Sequence, residues 1–172
     1  MLAGAGLTGL LALAKGRQEV REKGLDRAEA RRSERLGHRR AAYAAFLEQS
    51  RRVLAGVSEV TDMPVSASDD DREAAWHGCG EAIDAMYGVY VAVALSGPPG
   101  FADEAEKLWW LSEQAHTRLA GVLSRREGAQ SDDPIQSLFT DEDERAVLDF
   151  VAHQKRVIML ARKQLGGDEA DA

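Results

Sequence analysis

Apolar residues return at steps of three and four in four separate stretches of this chain, with polar residues between them. The first stretch is Leu36, Tyr43, Phe46/Leu47, Ser50, Val53/Leu54, Val57 and Val60. Such spacing lines one face of a helix, predicted to end near Thr61. Pro64 and the Ser/Ala/Asp run at 66–71 then make a loop, whose aspartates suit the start of the next helix. The second stretch, Trp76, Cys79, Ile83, Met86, Tyr90 and Val93, keeps a 3-4-3-4-3 spacing in a helix predicted from about Arg72 to Leu95. The β-branched cluster at 89–93 suits a strand by composition, but the unbroken period decides for helix.

Ser96-Gly97-Pro98-Pro99-Gly100 is a hard break. Phe101, Ala105, Leu108, Ser112, Ala115, Leu119 and Val122 mark a third helix, predicted to run to about Glu127. Residues 128–133 read as loop and 134–139 as one short turn. Thr140 and Asp143 have the spacing of a capping box, in which the hydroxyl accepts one amide hydrogen and the carboxylate another. Acids at 141–144 and bases at Arg162 and Lys163 complement the dipole of the helix between them. Its seam is Val147, Phe150/Val151, Gln154, Val157/Ile158, Ala161 and Leu165, and Gly166-Gly167 stops it. Short loops between long helices imply an all-α fold: an antiparallel four-helix bundle with a long N-terminal helical extension. Trp76, Ile83, Met86, Leu108, Leu119, Phe150 and Ile158 are the expected core.

The extension has its own pattern. Residues 1–14 carry no charge. As a helix they span about 21 Å, against roughly 30 Å of hydrocarbon. Such a stub is the inner half of a spanning helix that starts upstream, dips into one leaflet, or packs on protein. The first reading is preferred here. The segment lacks the basic start and the cleavage site of a secretory signal. Residues 15–35 are polar on nearly every face, which suits a solvated bridging helix. The organisation expected is therefore an apolar anchor-like segment at 1–14, a basic helical stem at 15–35, the bundle at 36–166 and an acidic, disordered tail at 167–172.

Charge sharpens this division. The net charge of -7 hides 12 Lys+Arg against 6 Asp+Glu in residues 1–52, and 10 against 23 in the remainder. The bundle should repel nucleic acid and anionic lipid, and no nucleic-acid partner is expected. The stem, with Lys15, Arg17, Arg21 and Lys23 at its start, should attract an anionic membrane surface. Bases following an apolar anchor place the bundle at the inner face of the cytoplasmic membrane, the alternative being the cytoplasm itself. The lone Cys79 rules out an internal disulfide framework.

Candidate chemistry is sparse. Gly4-Ala5-Gly6-Leu7-Thr8-Gly9 matches a dinucleotide-binding pattern, but no strand precedes it and no βαβ unit follows. A di-metal bundle site needs two Glu-x-x-His motifs, and only Glu113-Gln114-Ala115-His116 is present. Glu73/His77 and Asp149/His153 are spaced as surface pairs. His77 and Cys79 fall on different sides of one helix, and Cys79 sits in an apolar seam. No catalytic residue, cofactor or metal is expected. An enzyme or ligand sensor would need a pocket between helices, near His116 and Gln154.

Two surfaces rise above this background. Trp110 should face outward while Trp109 flanks the core, so that Trp110 either lies on neighbouring side chains or serves as an aromatic anchor for a partner. Opposite the seam of the second helix runs a line of small residues, Ala74, Gly78, Ala85, Gly88 and Ala92, with Val91 and Leu95 beside it. Glycine inside a helix costs about 1 kcal/mol, which favours packing of this face against another helix, from the stem or from a second copy. A protein partner, or self-association through helix two, is the expectation.

Gly6-Leu7-Thr8-Gly9-Leu10-Leu11-Ala12-Leu13, then Arg31-Arg32-Ser33-Glu34-Arg35 and Arg39-Arg40-Ala41-Ala42-Tyr43-Ala44-Ala45-Phe46-Leu47, resembles uncharacterised actinobacterial proteins. Those have an N-terminal membrane helix, a basic stem and a helical cytoplasmic part. The resemblance covers about the first third of the chain and implies no catalytic residue. It departs from the family in lacking a full-length spanning helix. The function expected is a non-enzymatic, membrane-associated helical binding or assembly protein, the alternative being a soluble cytosolic interaction bundle.

Overall fold

In the computed structural model, which describes residues 4–125 and 134–165, with side chains from Lys23 onward, α1 spans Gly4–Asp62, α2 Asp69–Ser96, α3 Pro99–Ser124 and α4 Asp141–Gln164. α1, α2 and α4 end where the sequence supplies a stop, whereas α3 ends at Ser124, short of the expected Glu127. A 3-10 turn, Ile135–Leu138, precedes α4. Among the described residues there is no strand, only an isolated bridge between Pro64 and Pro134. The cluster at 89–93 is helix. The loop at 128–133 and the acidic tail at 167–172 lie outside the described residues.

The caps account for the boundaries. Ser68 accepts the Asp71 amide hydrogen and so starts α2 at Asp69, three residues earlier than its seam predicts. Pro98 and Pro99 open α3, where a missing amide hydrogen has no cost. Thr140 and Asp143 form the expected capping box: the Asp143 amide donates to Thr140 Oγ1, and the Thr140 amide donates to Asp143 Oδ2 at 2.9 Å.

The chain divides into two compact units, Met1–His38 and Arg39–Ala172. The second unit holds the bundle. Leu36, expected as the first seam residue, lies in the first unit and is exposed. Successive helices run antiparallel, as the cross-contacts require. Tyr43 near the start of this unit stacks on Phe101 and donates a hydrogen bond to Gln164 at 2.8 Å. Arg39 donates to the Ser96 carbonyl at the end of α2. Trp76 of α2 meets His116 of α3, and Tyr87 meets Trp109. Arg118 of α3 pairs with Glu142 at the start of α4. α4 then returns to α1 through Gln154, whose amide donates to the Ser50 carbonyl at 2.8 Å.

The core is one cluster running the length of the bundle, with Tyr43, Phe46, Ile83, Met86, Leu108, Leu119 and Phe150 fully buried. A smaller cluster of Val65, Val122 and Ile135 closes the far end, where Ile135 donates to the Met63 carbonyl. Two expected core residues are only half-buried. Ala75 takes the buried position beside Trp76, whose ring covers the rim of the α2–α3 contact. In α4 the inward face is turned toward His153 and Gln154, which leaves Ile158 at the edge. Gly56 was not singled out by its sequence context. A Cβ there would meet Cys79 Cα at 3.1 Å, so α1 and α2 cross closely at this point.

Candidate interaction surfaces

Groups that could have carried chemistry are committed to the fold. His116 lies flat on the Trp76 ring, with centroids 3.4 Å apart, and its Nε2 is 3.3 Å from the Trp76 carbonyl. Burial lowers its pKa, against the opposing pull of that carbonyl, Glu113 and Asp84. His153, expected on the surface, is buried with Nε2 3.1 Å from the Glu104 carbonyl and 3.2 Å from its carboxylate. Arg156 holds the other oxygen of Glu104 at 2.5 Å. Asp149 stays exposed, so the Asp149/His153 pair does not form. Cys79 is fully buried. Burial, then Glu113 and Glu59, push its thiol up to about 11, which keeps it protonated and unreactive. Gln154 and His116 serve different helix pairs, α4–α1 and α3–α2. Among the described residues no group of His, Cys, Asp and Glu is arranged to hold a metal ion.

The two surface features are found where the period places them. Trp110 is 52% exposed. It lies at the mouth of an open groove between α3 and α4, lined by Glu113, Arg118, Glu142, Arg145 and Asp149. Trp109 is half-buried against Tyr87.

On α2 the exposed face includes Ala74, Gly78, Ala85, Gly88, Val91, Ala92 and Leu95. A Cβ at Gly78 or Gly88 would have no heavy atom within 4 Å. Leu95 is 84% exposed, and Tyr87 and Val91 are nearly half-exposed. From Ala85 to Leu95 there is no charged residue, and from Glu73 to Ser96 there is no Lys or Arg. The outward side of α2 is therefore acidic over its first half and apolar over its second. Its inward side carries Cys79, Ile83, Met86 and Val93. Among the described residues α2 is the one helix long and apolar enough to cross a membrane, with a mean hydropathy of 1.2 over its best 18-residue window. A core helix passes the same test, and α2 packs in the bundle.

Of the stem residues at 15–23, only Lys23 has a described side chain, and it is exposed. Lys15, Arg17 and Arg21 lie in the helical span of α1, with side chains outside the described set. From Lys23 to His38 every residue is exposed.

No family model matches the chain, and neither a curated protein nor a solved structure matches it.

Proposed function

We propose that this is a non-enzymatic, membrane-associated helical protein that works by binding and assembly. The observation that carries the reading is the outward face of α2. A helix apolar on all sides is normally enclosed, yet residues 85–95 present Val91 and Leu95 to solvent while the opposite side is already packed. An exposed apolar face bordered by acids is a docking surface rather than a catalytic one. The membrane part of the reading rests on residues 1–35: an uncharged stub followed by bases, the order that favours contact with an anionic leaflet. The resemblance of the first third to membrane-anchored actinobacterial proteins points the same way. Commitment of His116, His153 and Gln154 to contacts between helices favours binding over an inter-helix active site.

Flotation of the full chain with vesicles tests the membrane reading. The protein is expected to rise with vesicles rich in phosphatidylglycerol and to remain below with phosphatidylcholine alone. Remaining below with both would replace this reading by that of a soluble helical interaction protein.

A further inference from the structure

Between Lys23 and His38 α1 is exposed on every side, yet its charges are not evenly mixed. At 3.6 residues per turn, Arg27, Arg31, Arg35 and Arg32 fall within an arc of about 140°, over about 12 Å of helix. Within residues 23–38 the rest of that arc is Gly24, Ala28 and His38, with no Asp or Glu. Asp26 and Glu29 fall on the opposite side, and Glu34 just outside the arc. Acids three or four residues away normally neutralise such a row. Here they do not. Among the described residues no carboxylate is within ion-pair distance of these arginines, and Glu34 turns to His38 at 3.8 Å. Arg31 Nε donates to the Arg27 carbonyl at 3.2 Å, which directs its side chain along the helix and leaves the outer guanidinium amines open. Arg39, next along the arc, donates to the Ser96 carbonyl.

Lysine would supply the same charge. Arginine adds a planar fork of donors that fits the paired oxygens of a phosphate. A phosphate monoester presents three acceptor oxygens and a charge of about −1.5 to −2. A diester headgroup presents fewer free oxygens and a single charge. We infer that the face of Arg27, Arg31, Arg32 and Arg35 binds phosphate monoester headgroups of a lipid leaflet, phosphatidic acid being the simplest, in preference to headgroups of equal total charge. Forks at successive turns engage several headgroups at once. The inference rests on the membrane reading and adds the headgroup to it.

Partitioning of the full chain onto two sets of vesicles tests it. One set carries phosphatidic acid in phosphatidylcholine, the other phosphatidylserine in phosphatidylcholine, matched for surface charge by electrophoretic mobility. The wild type is expected to bind the first set about tenfold more tightly. Arg27→Lys, Arg31→Lys, Arg32→Lys and Arg35→Lys combined keep the charge, and the preference should fall to within about twofold of unity. Lysine forms helix as well as arginine and these positions are exposed, so circular dichroism should be unchanged. Replacing Lys15, Arg17, Arg21 and Lys23 by Gln should weaken binding to both sets and leave the preference in place. Inorganic phosphate at millimolar concentration should not displace the protein, because a free ion engages one fork where a leaflet engages several. Equal binding of the wild type to both sets, a preference that survives in the Lys variant or vanishes in the Gln variant, or displacement by inorganic phosphate would overturn the inference and leave the membrane reading standing. Binding to neither set would overturn both. Equal binding to the two sets, with a short RNA duplex shifted by the wild type and not by the Lys variant, would assign the face to nucleic acid instead.

Discussion

Leu119 shows what a single seam position is worth. It is 1% exposed, near the C-terminal end of α3, in the core cluster shared with the neighbouring helices. Leu119→Ala removes buried apolar surface and leaves a cavity the bundle can only partly close, so it should cost about 2–5 kcal/mol. A denaturation midpoint equal to wild type would contradict this. Gln154 is a different kind of residue. Its amide donates to the Ser50 carbonyl at 2.8 Å and lies 3.3 Å from the Ser50 hydroxyl, so a polar group in the seam fixes how α4 sits on α1. Its position was legible in the sequence; its partner was not, because 104 residues separate them in the chain.

At the scale of the element, α4 rests on its first turn. Asp143 is 1% exposed. Burial alone would raise its pKa, but the Thr140 amide and hydroxyl, followed by the Arg125 guanidinium, outweigh it and hold the carboxyl below its ordinary value. The folded state therefore favours the carboxylate more than the unfolded chain does. The stability this contributes is present above the unfolded value of about 3.9 and is lost as pH falls through the folded value. Asp143→Asn should flatten the acid limb of the stability curve below about pH 5, whereas Thr140→Ala should cost about 0.5–2 kcal/mol at neutral pH through the lost cap. Thermal melts across pH 3–7 would check both, and an unchanged acid limb in the Asn variant would count against the assignment. The capping box could be read from the spacing of Thr140 and Asp143. The Arg125 contact could not, since it reaches across the loop before α4.

For the molecule as a whole, the proposed membrane contact turns on charge segregation. Bases exceed acids by 12 to 6 in residues 1–52, and acids exceed bases by 23 to 10 beyond. Each basic residue near an anionic surface contributes about 1 kcal/mol. Replacing Lys15, Arg17, Arg21 and Lys23 together by Gln should lower partitioning onto phosphatidylglycerol vesicles by about two to three orders of magnitude. Raising salt on the wild type should act in the same direction. Binding that ignores both changes would mean that residues 1–14 alone carry the association.

The amino-acid sequence determined the all-α class, the number of bundle helices, most of their seams and the capping box, because these depend on the helical period and on residues within one turn of each other. It also placed Trp110 and the small-residue face of α2 outward, since exposure opposite a seam follows from the same period. Only the tertiary structure decided the rest. Trp76 is at a rim rather than in the centre because the smaller Ala75 takes the buried position beside it in the core cluster. Ile158 is at the edge because the inward face of α4 runs through His153, Gln154 and Val157, with His153 held by Glu104 of α3. Gly56 matters because α1 and α2 approach there within reach of a single methyl group. Each of these turns on which helix lies beside which and how closely, and such distances are set by the packing of several side chains at once, which no single helix's period contains.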